Sequence, residues 1–442
     1  MILTEKKVVT YQKSYQIISD VANEYGPVIS QDHRQRDVFS AFIPNNQVMQ
    51  DYLDNKLLSQ FESIDSVPEV TVVYLLQSHL AHNLQLASKI SKDFFNPFGD
   101  LIQIDIHNDI SDAFLCSNGP VYTMNKVLEP YAFISVPGPL FFKKDYTTFL
   151  YALAISGRVS SLSQPDVVTT LFAPDNNSLA EYGIRFDRED LELQRLYQGK
   201  WETMELDDID LFIQDHIVFG KIDNLEQGGY LKMSSGNYIR FDGNVVKAGG
   251  NIESGDAANV VEKIESEING VLYVLDNALK TPELTVAEYI MNDPELSDFL
   301  NMLLSMNMIS QSTDLITQEI VYNISFASES ENWSAFIPTN DALAAYTIPE
   351  GVDTVDFIRY HFVQGDAIFD DGLRSGIFKS AKIDSIMTDG TIDYSKVTVS
   401  NTLNALSVTD ETGQVVTVPH STANNIVQQA VLHKINGVLK FE

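Results

Sequence analysis

The chain has 442 residues. A single hydrophobic core cannot organise so long a chain, because cores stop growing at about 250–300 residues. Hydrophobic residues make up 44% of it and charged residues 20%, a composition that excludes disordered and fibrous classes. Its 61 acidic and 29 basic residues give a formal net charge of −32, which repels phosphate groups and so argues against nucleic acid or anionic lipid surfaces as partners.

The first predicted element is a strand that ends at Pro44, in the run Ser40-Ala41-Phe42-Ile43-Pro44. Proline has no N–H for a strand ladder, and the Asn45-Asn46 that follows can accept bonds from the free amides of a starting helix. Apolar residues at helical spacing follow, from Val48 to Leu53. The pattern predicts a strand, a stop and a capped helix.

The next signal is a histidine, His79, preceded at four and three positions by Leu75-Leu76. On a helix these positions share one face, so the histidine points where the leucines point and is predicted to lie in the core. Further along, Asn118-Gly119 precedes an apolar run. This pair tolerates the backbone of a tight turn and predicts a turn entering a closing strand.

The same three signals recur in the same order twice more. In the second copy they are Pro174, His216 and Asn269-Gly270; in the third they are Pro338, His361 and Asn436-Gly437. Three ordered copies at domain-sized spacing predict three tandem modules.

Boundaries between modules are predicted where Glu129-Pro130 and Lys280-Thr281-Pro282 interrupt the pattern, which gives modules at 1–130, 131–282 and 283–442. The third module has the longest stretch between its histidine and its Asn-Gly. That stretch includes the turn-rich segment 366–396, and loops carry binding function more often than strands do.

Catalytic and metal-binding motifs are not found. Gly228-Gly229 and Gly249-Gly250 lack the rest of a phosphate-binding loop, and neither a nucleophile elbow nor a zinc-protease helix occurs. The acidic runs 207–210 and 366–371 could supply oxygen ligands to calcium but lack the ligand ladder of an EF-hand loop, which favours a solvated surface. We therefore predict no enzyme activity, no catalytic residue, no metal site and no cofactor.

Compartment signals are sparse. The single cysteine, Cys116, excludes an intrachain disulfide framework and is predicted to be a buried thiol. Apolar runs are too short to span a bilayer. The first residues lack the features of a signal peptide, so we expect either a cytosolic protein or one whose leader has been removed.

Together, the proline-ended strand, the helix ending in histidine and the Asn-Gly turn into a strand resemble the fasciclin (FAS1) module, three times over. The resemblance implies an α+β fold, a wedge or sandwich of β-strands with helices packed at one end, and a role in adhesion. It also implies that Tyr360-His361 is the full Tyr-His pair of the family, with which ligand binding is associated. The other two copies depart from it, with Ser78-His79 and Asp215-His216.

The resemblance further implies an extracytoplasmic protein, and the Asn- and Asp-rich, arginine-poor sequence resembles bacterial (Bacteroidetes-like) cell-surface lipoproteins, attached to the membrane through a lipid on a removed leader. The leading hypothesis is adhesion to an extracellular protein or glycan ligand through module loops. One alternative is a glycan-capturing or glycan-processing component of a bacterial surface uptake system, and another is a structural spacer. Ligand identity, oligomeric state and calcium binding stay open.

Overall fold

A computed structural model of the chain describes residues 39–90, 94–116, 119–313, 319–327, 331–365 and 367–441. Helical content is 29% and strand content 35%, so the prediction of a mixed helix and strand fold is confirmed. The chain divides into two compact units. The first runs to Val168 and takes in Glu265–Gly270, and the second comprises Thr169–Ile264 and Val271–Glu442.

The first unit combines short strands with short helices. Its strands are β1 (Ser40–Pro44), β2 (Leu80–Ala81), β3 (Phe94–Phe95), β4 (Leu101–Ile102), β5 (Ile110–Cys116) and β6 (Gly119–Met124). Its helices are α1 (Asn46–Asn55), α2 (Glu69–Ser78), α3 (Ala87–Ile90), α4 (Tyr131–Ile134), α5 (Thr147–Ile155) and α6 (Arg158–Leu162), with 3-10 turns at Leu57–Ser59, Ile64–Ser66, Gly138–Phe142 and Lys144–Tyr146. One sheet has the order β2, β1, β6, β5, and β3 pairs with β4.

The predicted strand, stop and cap are confirmed in this unit. Pro44 is the last residue of β1, and the side chain of Asn45 accepts a hydrogen bond from Val48 N at the start of α1. β1 runs parallel to β6 and antiparallel to β2. β6 starts at Gly119, whose φ is +144° and where an added Cβ would stand 1.7 Å from the carbonyl oxygen of Phe39. Only glycine fits that approach.

Within the second unit, the middle region is residues 169–264 and 271–282. The strands between residues 169 and 275 are β7 (Thr169–Pro174), β8 (Ile184–Asp187), β9 (Glu192–Tyr197), β10 (Lys200–Thr203), β11 (Ile217–Phe219), β12 (Gly229–Lys232), β13 (Tyr238–Asp242), β14 (Val245–Ala248), β15 (Ala258–Glu265) and β16 (Gly270–Leu275). The helices are α7 (Asn176–Tyr182), α8 (Leu206–Gln214) and α9 (Gly249–Ser254). One sheet has the order β11, β7, β16, β15, β14, β13, β12, and β8 to β10 form a separate three-stranded sheet.

The C-terminal region is residues 283–441. Its strands are β17 (Ile309–Thr313), β18 (Ile320–Ile324), β19 (Trp333–Pro338), β20 (Phe362–Gln364), β21 (Gly376–Ile386), β22 (Ile392–Thr402), β23 (Ala405–Thr409), β24 (Val415–Val418), β25 (Asn425–Val427) and β26 (Ala430–Ile435). Its helices are α10 (Val286–Asn292), α11 (Ser297–Ser305), α12 (Asn340–Ala344) and α13 (Thr354–Tyr360), with 3-10 turns at Pro294–Leu296 and His420–Thr422. The main sheet has the order β24, β23, β22, β21, β20, β19, β26, β25, and β17 pairs with β18.

The three sheets share one central arrangement. In each, the strand that ends at proline lies between a short strand that follows the histidine and a closing strand: β2-β1-β6, β11-β7-β16 and β20-β19-β26. The helix caps agree with the sequence prediction as well, since Asp175 accepts from Ser178 N and Thr339 accepts from Ala342 N.

The prediction that Asn436-Gly437 opens the third closing strand is wrong. The strand parallel to β19 is β26, which ends at Ile435, one residue before this pair. Ring stacking shows how the closing strands of the three copies align. In each copy the phenylalanine of the proline-ended strand stacks on the fourth residue of the closing strand. These pairs are Phe42–Tyr122, Phe172–Tyr273 and Phe336–His433. Gln429, with φ of 52°, therefore stands where Asn269 stands in the second copy.

The segment 366–396 is not the run of turns that its composition suggested. β21 and the first part of β22 occupy most of it and pair as a long hairpin. The buried residues Ala367, Ile368 and Phe369 precede β21. Asp366 itself lies outside the described residues.

The prediction that Cys116 is buried is also wrong, because its side chain is exposed. It is the last residue of β5, the outermost strand of its sheet. Side chains from Ser111 to Cys116 are all exposed, since nothing in the described part of the sheet covers that strand.

Candidate functional site

The three helices that lead into a histidine place that residue in the core. His79 is 6% exposed, and His216 and His361 are 0% exposed. The pattern of apolar residues four and three positions earlier predicted this burial, and the structure confirms it. The histidines follow α2, α8 and α13 directly or after one residue.

Each of these histidines uses its ring to close the end of its helix. Nδ1 lies 2.8 Å from the carbonyl oxygen four residues earlier, on Leu75, Phe212 and Phe357 respectively. A carbonyl only accepts, so Nδ1 carries the proton and Nε2 is left as an acceptor.

The other ring nitrogen reaches the chain beyond the closing strand. Nε2 of His79 accepts from Leu128 N, and Nε2 of His361 accepts from Leu439 N, both at 3.0 Å. Leu128 and Leu439 therefore occupy equivalent positions in the first and third copies. This equivalence again shows that Asn436-Gly437 corresponds to Asn125-Lys126, after the closing strand.

The backbone of each histidine completes the link. Its carbonyl oxygen accepts from the N–H of the phenylalanine in the proline-ended strand, over 2.8–2.9 Å, in the pairs His79–Phe42, His216–Phe172 and His361–Phe336. Each histidine thus joins a helix end to the centre of its sheet.

Burial sets the charge of these rings. It lowers the pKa of His79, His216 and His361 to about 4, because the charged form loses its hydration, and the same cause lowers the pKa of His433 to about 4. All four are neutral at pH 7 and offer no positive charge to a ligand.

The residue before the histidine differs in the three copies and has a different partner in each. Ser78 Oγ donates to the carbonyl of Leu128 at 2.6 Å. Tyr360 Oη donates to the carbonyl of Lys396 and accepts from Glu411 N, both at 3.0 Å. Asp215 is a buried carboxylate, described further below.

Tyr360 and His361, the binding pair expected from the resemblance, are both 0% exposed. Burial raises the pKa of the Tyr360 hydroxyl, which ties α13 to β22 and to the turn after β23. The two side chains are therefore shielded from ligand. They can affect binding only through the loops that they hold in place.

The Asn-Gly positions also have structural partners. Asn269 is 3% exposed; its Nδ2 lies 2.7–3.1 Å from the carbonyl oxygens of Leu162, Gln164 and Val167, and its Oδ1 accepts from Val136 N. Gly270 begins β16 with φ of 118°. Asn118 lies outside the described residues.

A polar cluster that sequence reasoning missed lies beside β26. The buried carboxylate of Asp370 accepts from Asn424 Nδ2 and pairs with Nδ1 of His420, whose own side chain is mostly exposed. Nε2 of His433 donates to the carbonyl of Ile368 nearby. The signal for this cluster was weak, because Asp370 lies 50 residues from His420 and 54 residues from Asn424 in sequence.

Two features are absent from the parts of the chain that the structure describes. No three His, Cys, Asp or Glu side chains there come together in a way that could hold a metal ion. Nor does any helix there have the length and apolar character needed to cross a bilayer.

Parts of this chain are similar to a known domain family and to known proteins. The family model described as the fasciclin domain matches residues 144–282. Human periostin is 24% identical over 352 residues, which cover 74% of this chain and 36% of periostin, so the chain corresponds to about a third of that protein.

A solved structure of a FAS1 domain pair from the insect cell adhesion molecule Fasciclin I matches 67% of this chain and 97% of its own, at 13% identity. Its TM-score is 0.28, too low to establish a shared arrangement. Fasciclin domains are associated with cell adhesion or binding to extracellular matrix. Residues 144–282 of this chain form a fasciclin domain.

Proposed function

We propose that this chain is a non-enzymatic, extracytoplasmic adhesion protein that binds a protein ligand through loops of its C-terminal region. The fasciclin domain at 144–282 supports the adhesion class. The observation that carries the proposal is a pair of leucines, Leu373 and Leu403, which are 77% and 72% exposed on two adjoining loops.

The two loops that carry these leucines are bonded to each other. Asp371 and Leu403 pair as an isolated β-bridge, and Asn404 N donates to the carbonyl of Asp370 at 2.7 Å. On the other side, Gly372 N donates to Oδ1 of Asn401 at 3.1 Å. Apolar side chains presented by loops that are bonded to each other bind a partner without a large loss of loop entropy.

The chemistry of this leucine pair favours a protein over a glycan. Exposed aliphatic side chains rimmed by polar residues are typical of protein interfaces. Tyr360 is bonded to the same strand that leads to Leu403, because its hydroxyl donates to the carbonyl of Lys396 in β22. In this proposal Tyr360 and His361 act through the loops and not by contact.

The remaining parts of the proposal follow the resemblance. We place the chain as three tandem modules at 1–130, 131–282 and 283–442, on a bacterial cell surface and held there by a lipid anchor. The threefold use of the proline, histidine and closing-strand arrangement supports the repeat. Extracellular-matrix and cell-surface proteins are accordingly the ligands to test.

The test is a binding array of matrix proteins and glycans probed with the full chain and with Leu373→Ser/Leu403→Ser. We expect a protein ligand whose affinity falls about tenfold or more in the variant, since each buried leucine contributes about 1.5–3 kcal/mol. Leu115→Ser/Val261→Ser, which changes two other exposed apolar residues, should leave affinity unchanged.

Three outcomes would overturn the proposal. Binding to no array member would favour a structural spacer. Binding to glycans alone would favour the glycan-uptake alternative, and chemical turnover of a bound ligand would show that the chain is an enzyme.

A further inference from the structure

Asp215, the residue before the second histidine, is a buried carboxylate with three hydrogen-bond donors. It is 4% exposed and accepts from Ser235 Oγ at 2.5 Å, Asn237 Nδ2 at 2.9 Å and Thr281 Oγ1 at 2.6 Å. All three donors are uncharged. A buried carboxylate needs such bonds, because an unsatisfied one loses its hydration without compensation.

Two of these donors belong to the turn between β12 and β13, residues 233–237. Gly236 N donates to the carbonyl of Met233 at 3.0 Å, and Met233 N donates to the carbonyl of Asn237 at 2.8 Å. The third donor, Thr281, lies in the segment that leads into the C-terminal region. One carboxylate therefore holds both the turn and the connecting segment.

The same turn contacts the C-terminal region. Oδ1 of Asn237 accepts from Gln429 N at 3.0 Å. The carbonyl of Gly236 accepts from Asn332 Nδ2 at 2.8 Å, and Asn332 Nδ2 also lies 2.8 Å from the carbonyl of Gln429. Asn237 is thus bonded to Asp215 through its nitrogen and to Gln429 through its oxygen.

Apolar contacts surround these bonds. The ring of Tyr230 stacks on Phe369 with centroids 3.9 Å apart and planes inclined by 6°. Tyr238, which follows the turn, packs with Phe369 and Val431 in one buried cluster, and its hydroxyl accepts from Ala367 N at 3.1 Å. These polar groups of the junction are paired and lie beside buried apolar side chains, as in the core of a permanent interface.

We propose that Asp215 is a positioning residue that clamps the middle region to the C-terminal region and holds the two at a fixed angle. Moving the turn away would remove two of the three donors of a buried charge. At the same position in the other copies, Ser78 bonds to the carbonyl of Leu128 and Tyr360 bonds to Lys396 and Glu411. Asp215 differs in that two of its donors lie in a turn that itself bonds to the C-terminal region.

The test measures the distance between the two regions by electron–electron double resonance. Spin labels go on cysteines introduced at Glu202 and Thr398, both exposed strand positions, in a Cys116→Ser background that removes the native thiol. We expect one narrow distance distribution in this background. Asp215→Ala should lose the narrow peak and give a broad distribution.

Two variants separate positioning from a general loss of structure. Asp215→Asn should retain the narrow peak, because its amide oxygen can accept from Ser235 and Asn237 while its nitrogen donates to Thr281. Asp207→Ala, which removes an exposed acid from α8, the helix that ends just before Asp215, should retain it as well. Circular dichroism and tryptophan emission report whether each variant stays folded.

If Asp215→Ala fails to fold, Asn332→Ala provides the second route, since it removes the bond to Gly236 and leaves all three donors of Asp215 in place. It too should broaden the distribution. A narrow peak in folded Asp215→Ala, or in Asn332→Ala, would overturn the proposal, as would an Asp215→Asn distribution as broad as that of the alanine variant.

Discussion

The histidine after each helix acts as an internal cross-link. In the first and third copies its ring joins two distant backbone groups, and in all three its carbonyl bonds to the proline-ended strand. A residue that bonds to a helix, a strand and the chain beyond the sheet at once tolerates little change. The residue before it has fewer constraints and can acquire a new partner, as Asp215 has.

His361→Ala tests this role. The change leaves the carbonyl of Phe357 and Leu439 N without their partner and opens a cavity, so we expect a loss of about 2–4 kcal/mol in the free energy of unfolding. Urea unfolding followed by the emission of Trp333, which lies in the same core cluster as Ile358, measures it. His107→Ala, at an exposed histidine, serves as the control. A loss no larger than the control's would contradict the cross-link.

Sequence reasoning succeeded for the histidines and failed for Asp215 for the same physical reason. The burial of a helical histidine depends on neighbours three and four residues away, which a helix fixes. The partners of Asp215 lie 20, 22 and 66 residues away. Only the tertiary fold brings them together, so the sequence held no signal that this acid is buried.

Among the elements, α13 is tied to β22 and to the turn after β23 by one hydroxyl group. Tyr360 Oη bonds to β22 and to Glu411 in the turn between β23 and β24, whose own Asp410 accepts from Thr412 and Gln414 amides. A single oxygen thus connects a helix, a strand and a turn. Removing it should loosen the connection between these elements without emptying the core.

Tyr360→Phe removes that oxygen and keeps the buried ring. We expect a loss of about 1–3 kcal/mol in stability, because Glu411 N and the carbonyl of Lys396 lose their partner. Hydrogen exchange should speed up most at residues 410–414. Tyr394→Phe, at a partly exposed tyrosine of β22, is the matched control. Unchanged exchange in the 410–414 turn would show that the hydroxyl does not hold it.

The strands and helices show where sequence patterns stop being informative. A proline after an apolar run ended β1, β7 and β19 as predicted, because the missing N–H acts locally. The sequence pattern placed the third closing strand after Asn436-Gly437, because this pair has the same residue types as the turns before the other closing strands. In the structure the residue before the third closing strand is Gln429, with φ of 52°. That strand is defined by pairing with β19, almost a hundred residues away.

Over the whole molecule, the predicted three modules and the two compact units describe different aspects of the chain. The proline, histidine and closing-strand arrangement occurs three times. The middle and C-terminal regions nevertheless belong to one compact unit, in keeping with the paired and apolar contacts at Asn237 and Tyr230. Repetition in sequence sets the number of copies, and packing between copies sets the number of compact bodies. The boundaries at 130 and 282 stay predictions.

The charge of the whole chain and its buried histidines respond to acid in opposite directions. At a net charge of −32, protonating surface carboxylates relieves repulsion and favours the folded state. Burial also raises the pKa of Asp215, which acts in the same sense. The buried histidines lower the stability of the folded state as pH falls, because their rings are neutral in the folded chain and take up protons more readily once it unfolds. Carboxylates titrate mainly near pH 4, so the histidines dominate between pH 6.5 and 5.

We therefore expect stability to fall as pH drops from 7 to 5. Each buried histidine has a folded pKa of about 4 against 6.5 when unfolded, so its contribution is intact above 6.5 and is lost as pH falls towards 4. At pH 5 the loss is about 2 kcal/mol for one histidine. Urea titrations at several pH values measure the slope. His361→Gln should reduce that slope by about 1.4 kcal/mol per pH unit. Stability that stays level or rises from pH 7 to 5 would show that surface repulsion outweighs the buried rings.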